Sequence, residues 1–169
     1  MTIEQLAQTE KELHLIVLEL DNKERSDESD EKLRNIFELY KDIHKQYSDL
    51  ADKQDEALKR GLFIQWYCIT EPPYLTGIGD LDDSAEIKII KVLNDKIEKN
   101  NLDDELKWML NYYLSPSWVF VFDRFKGYKG LDKAIKNHIE YNLPERIDRV
   151  SMETRGIMGK YWNSLTRFK

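Results

Sequence analysis

Apolar residues in the first third of the chain recur at helical spacing. Ile3, Leu6, Leu13, Val17 and Leu20 fall three, four or seven residues apart and mark one apolar stripe. Residues 23–30 (KERSDESD) carry no apolar side chain, so they read as a turn. Beyond them a second series alternates steps of three and four: Leu33, Ile36, Tyr40, Ile43, Tyr47, Leu50, Gln54, Ala57, Gly61, Ile64 and Cys68. This is a heptad-like, coiled-coil seam with Gln54 as its strongly polar interruption. It predicts one long helix over about residues 31–70, with Leu33 to Cys68 spanning roughly 53 Å.

The first helix is too short to cover that length. With the turn centred near residue 26, facing positions sum to about 52, which sets Ile3 opposite Asp49. The seam would be covered as far as Leu50, and the stretch from Ala57 to Cys68 would need another partner.

After residue 60 the texture changes. All seven Gly and all four Pro lie there, with sixteen of the nineteen aromatic residues. Glu71-Pro72-Pro73 stops the long helix, because a residue before proline is pushed out of helical geometry. Asp83 and Glu86 have the spacing of a capping box and open a helix with Ile87, Ile90, Leu93 and Ile97 inward. Asp103, Asp104 and Glu105 supply an acidic first turn to the next, whose buried face is Leu106, Met109, Leu110, Tyr113 and Leu114. Ser115-Pro116 starts another. Residues 118–122 are aromatic and β-branched, but no second strand candidate would pair with them, so helix is expected with Trp118, Phe120, Phe122 and Phe125 in the core. Residues 131–141 suit a short helix. A last helix opens at Pro144 and carries Ile147, Val150, Ile157, Met158, Tyr161 and Leu165 on one face.

The expected fold is all-α: an N-terminal antiparallel helical hairpin whose long second helix continues into a compact helical bundle domain. Residues 1–60 form the acidic hairpin and 61–169 the aromatic-rich helical domain.

Charge follows the same division. Residues 1–60 hold 10 basic and 16 acidic side chains, and residues 61–169 hold 16 of each, so the net −6 belongs to the hairpin. This balance disfavours nucleic acid as a partner. No apolar run approaches the roughly 18 residues of a membrane span. The N-terminus reads as neither a signal nor a transit peptide, and the lone Cys68 suits a reducing, cytoplasmic compartment.

Candidate chemistry is sparse. Neither His14, His44 nor His138 has a Glu three residues earlier, as a di-iron helix would, so no metal is expected and the first two read as solvated or flanking. Cys68, with no adjacent His or cation, reads as a structural thiol. Gly77-Ile78-Gly79 lacks the rest of a phosphate loop. No cofactor is expected. The long segment 70–83 offers two readings. Trp66, Glu71, Tyr74 and Asp80, joined by Arg124, would line a ligand or partner pocket; alternatively, Tyr74, Leu75 and Ile78 plug the core while the Asp residues cap the next helix. The last helix has a local excess of three positive charges from Arg146, Arg149, Arg155, Lys160, Arg167 and Lys169, which suits an acidic partner or a solvated face.

These features favour a non-catalytic protein–protein interaction module, of the adaptor or immunity-type inhibitor kind. It would pair with a protein or with itself through the uncovered seam of Leu33, Tyr40, Tyr47 and Gln54. The alternative is a small-molecule-binding or enzymatic domain with its pocket at the Glu71-Pro72-Pro73 loop.

Overall fold

The computed structural model describes residues 1–138, 144 and 147–165, which are helix, turn and loop with no strand among them. The all-α class is as expected. Helix α1 (Ile3–Asp21) opens with a capping box: the Thr2 hydroxyl accepts from the Gln5 amide, and the Gln5 side chain accepts from the Thr2 amide. Ser26 and Ser29 form the same arrangement at the start of α2 (Asp27–Leu50). The turn lies where the polar run placed it. The pairing register also holds, since Tyr40 donates to the Glu10 carbonyl at 3.2 Å and the two numbers sum to 50.

The continuous helix over 31–70 is not formed. Helix α2 ends at Leu50, and α3 (Asp55–Thr70) folds back against it. The amides of Lys53 and Gln54 both bond to the Leu50 carbonyl, closing the turn, and Gln54 takes extended backbone geometry as the N-cap of α3. The physical reason is local. Residues 52–56 (DKQDE) are five polar positions in a row, longer than the polar face of a half-buried helix tolerates. Asp55 and Glu56 then favour a helix start through their position at the positive end of its dipole.

This fold-back supplies the cover that the seam lacked. Tyr40 and Tyr47 are fully buried, Leu33 packs at the margin of the core, and Gln54 is exposed at the turn. The seam is therefore an internal contact and not an open surface. Helix α3 becomes the central element, and its ten residues from Ala57 to Trp66 are all buried. A helix hidden on every side needs neighbours all round. Those neighbours include α2, α9 (Gly156–Leu165), α5 (Asp83–Glu98), which lies across α2 and α3, and a 3-10 helix, Val119–Phe125. Helix α1 contacts α2, α9 and the single-turn α4 (Pro73–Thr76), and α7 (Lys129–Lys136) covers α5.

Several local expectations change in detail. The cap of α5 is Asp82, accepting from the Ala85 amide, and Ile87 is exposed while Ile89 faces inward. Helix α6 (Asp104–Tyr113) buries the face predicted for it. Ser115-Pro116 forms a turn ahead of the 3-10 helix, in which Phe122 and Phe125 are buried but Phe120 is half exposed. The expected last helix is two: α8 (Arg149–Met152) and α9, separated at Gly156, whose φ of +60° lies outside helical geometry. The part of the 131–141 helix beyond 138, and Arg146, Arg167 and Lys169, lie outside the described residues.

Of the residues expected to plug the core, Ile78 does so while Tyr74 and Leu75 are exposed, and the buried stretch is residues 76–79. Thr76, Gly77, Ile78 and Gly79 are buried, and Ile78 is inaccessible. Gly77 has φ +75°, and a Cβ there would sit 2.7 Å from Val17 Cγ2 and 2.9 Å from Ile36 Cγ2. Gly77→Ala is therefore expected to destabilise the chain by about 2 kcal/mol through backbone strain and overpacking, read as a lower urea midpoint at unchanged slope.

Candidate functional site

Burying α3 on every side buries two of its cations. Lys59 and Arg60 are 6% and 5% exposed, and neither can remain there unpaired. Arg60 bonds to Glu56 one turn earlier, 2.6 Å from its Nε, and to the Ile3 carbonyl of α1 at 3.2 Å. Lys59 reaches Asp103 and Glu105 at 2.6 and 2.7 Å, at the acidic start of α6. Arg155, between α8 and α9, is 7% exposed and joins the two sets. It pairs with both carboxylate oxygens of Glu56, and its Nη1 and Nη2 lie 2.7 and 2.8 Å from the Glu105 oxygens.

Three cations and three carboxylates thus form one closed network. Burial alone would lower Lys59 and Arg155, but their carboxylate partners outweigh it and raise both above their ordinary values. Burial also opposes the ionisation of Asp103 and Glu105, yet Lys59 and Arg155 hold both below the usual carboxylate range. Arg155, expected on a solvated face of the last helix, is in fact the internal clasp.

A fourth carboxylate sits next to this network. Glu10 of α1 is 1% exposed; it accepts from the Tyr47 hydroxyl and from the Ile157 amide at 3.0 Å. Arg60 approaches the same Tyr47 oxygen at 3.4 Å. The Ile157 amide belongs to the first turn of α9, so Glu10 holds the positive end of that helix. A Cβ on Gly156 would run into its carboxylate, which explains the glycine there. Burial pushes Glu10 from an ordinary 4.5 up to about 7, against the downward pull of Tyr47, Ile157 and Arg60. His44 on α2 is fully buried rather than solvated, and burial pushes its imidazole down to about 4 despite Gln65.

An open groove lies over this region. It encloses about 720 Å³ between α1 and the α8–α9 segment. Gly156 and Ile157 line it, with Leu15 at one side and Lys11, His14, Arg149 and Lys160 around them. Glu12 and Glu153 are also on its wall. Among the described residues no carboxylate pairs with Lys11, His14 or Lys160. Burial lowers both His14 and Lys160 from their ordinary values, and Lys160 lowers His14 further.

The residues expected to form a pocket are dispersed. Trp66 is in the core, packed with Phe63, Tyr67, Tyr113 and Trp118. Glu71 caps α3 in the extended geometry that Pro72 imposes. Tyr74 is half exposed beside Arg25 at the hairpin turn, and Asp80 is exposed. Arg124 pairs with Glu86 and Asp83. No hydrogen bond, ion pair or ring contact joins any two of the five. Cys68 donates to the Gly79 carbonyl, and burial pushes its thiol up to about 11. Among the described residues no three His, Cys, Asp or Glu side chains gather as a metal would require, and no helix is long and apolar enough to cross a membrane.

Sequence reasoning missed Glu10, Glu56, Lys59, Arg60 and Glu105. A signal existed for two of them: Lys59 and Arg60 fall between Ala57-Leu58 and Leu62-Phe63-Ile64, inside an apolar run. No family model, curated protein or solved structure matches the chain.

Glu10 and His44 give opposed pH dependences. A carboxyl raised from 4.5 to about 7 in the fold contributes stability that is lost as pH rises between those values. An imidazole lowered from 6.5 to about 4 contributes stability that is lost as pH falls between those. Each limb has a slope near 1.4 kcal/mol per pH unit, so the two cancel over their shared range. Unfolding free energy should therefore be nearly flat from about pH 5 to 6.5. Glu10→Gln should make stability fall on acidification and His44→Gln should make it rise, as urea titrations at several pH values would show.

Proposed function

We propose that the chain is a non-catalytic helical protein–protein interaction module, acting as an adaptor or inhibitor through the α1–α9 groove. The observation that carries this reading is the groove itself: Ile157 at its base and Leu15 at its side, with Lys11 and Lys160 on its two walls and no carboxylate paired to either among the described residues. The ion network supports it, because its three buried cations and three carboxylates are matched to one another and hold α3, α6 and α9 together. Cys68 supports it too, since its raised thiol is a poor nucleophile at neutral pH.

The groove replaces the heptad seam as the surface on offer. Leu15 is 59% exposed and Leu18 40%, one turn apart on α1, so an apolar strip continues past the groove.

A photo-crosslinking residue at position 15 tests this in extract from the source cells. It should yield a discrete protein adduct that is absent when the same residue is placed at position 91 on α5, and lost when Lys160→Glu is added. No adduct at 15, or equal labelling at 15 and 91, would contradict the interaction reading.

A further inference from the structure

Resting on that reading, the charge and shape of the groove specify its occupant. We infer that it receives an acidic amphipathic helix of another protein, laid along the α1–α9 seam with its apolar face on Leu15 and Ile157.

The geometry of the two walls sets the length. The Ile157 amide bonds to Glu10, so the start of α9 lies against α1, and the two helices pack together. Gln8 to Leu15 on one wall and Gly156 to Ser164 on the other make a trough about 10–12 Å long. That is about two helical turns, enough for anchors at i, i+3 or i+4, and i+7.

The electrostatics set the sign. Lys160 is partly desolvated, lies near His14, and has no carboxylate partner among the described residues. Lys11 on the opposite wall is likewise unpaired. A carboxylate arriving between them would gain two favourable contacts. Glu12 and Glu153 keep the groove from being uniformly basic, which disfavours a simple polyanion and requires the acidic residues to be placed.

Shape separates a helix from a small amphiphile. A single-chain carboxylate could fill the groove, but it would leave Leu18 uncovered one turn further along α1. A helix lying on the seam covers Leu15 and Leu18 together.

The test is selection of a displayed, randomised 12-residue peptide library against the full chain. Binders should carry Asp or Glu beside apolar residues at three- and four-residue spacing. A synthetic representative should bind more weakly as salt rises and lose at least tenfold in affinity to the Lys11→Glu/Lys160→Glu protein. It should also lose affinity to Leu15→Asp. All substituted positions are exposed, and matching circular dichroism and thermal midpoints confirm that the variants fold.

Binders that need Leu15 but lack acidic residues, or that keep their affinity in the double variant, overturn the acidic partner and leave the interaction reading standing. Binders indifferent to Leu15→Asp, or no binders, overturn both. Dodecanoate binding in the groove without any peptide competing for it would assign a small-molecule site instead. A micromolar dimer by sedimentation that Leu15→Asp dissolves would assign the groove to a second copy of the chain.

Discussion

Two cations inside a helix that is buried on all sides impose the constraint from which the rest of this structure follows. Lys59 and Arg60 sit in the run of buried residues from Ala57 to Trp66. An isolated charge in such a place costs several kcal/mol, so carboxylates must come to it. Glu56 comes from the same helix, Asp103 and Glu105 from the start of α6, and Arg155 then balances the acids from just before α9. Segments distant in sequence are thereby brought to fixed positions. The gain lies less in net stability than in register, because well-packed apolar side chains would hold the same space without demanding one arrangement.

The groove is a consequence of that arrangement. Arg155 and Glu10 act at the same end of α9: one anchors the residue before the helix, the other accepts a first-turn amide. With that end fixed against α1, the outward edges of the two helices leave a trough with Ile157 at its base. The surface proposed to bind a partner is thus built where Arg155 and Glu10 anchor the start of α9. A rigid surface loses little conformational entropy on binding, which suits a module that works by shape and charge.

The hairpin, its turn and its register were legible because a polar run and an apolar stripe are local features. The same rule that identified residues 23–30 as a turn also applies to residues 52–56, yet there the three-and-four spacing continued through Gln54 by coincidence. Periodicity alone cannot distinguish one long helix from two that fold back on each other when the break conserves phase. The Pro72-Pro73 stop was legible, because proline acts on its own backbone. The split of the last helix at Gly156 was less so, since the group that a side chain there would meet is the Glu10 carboxylate, 146 positions away in the chain. The ion network was illegible for the same reason. Glu56, Glu105 and Arg155 look like ordinary surface residues until α3 is known to be central. Trp66, Glu71, Tyr74 and Asp80 were grouped because they lie in or beside a loop that instead feeds Ile78 into the core, and Arg124 was joined to them from outside it.

Charge docks the start of α9 onto the α3 frame through Arg155. Native-state amide hydrogen exchange on the Arg155→Met protein tests this most directly. Removing one member of a buried ion cluster should cost about 3 kcal/mol or more, concentrated where the clasp acts. Amides of α9 should lose roughly a hundredfold in protection while those of α2 and α3 keep most of theirs. Unchanged protection in α9, or an equal loss in every helix, would contradict the account.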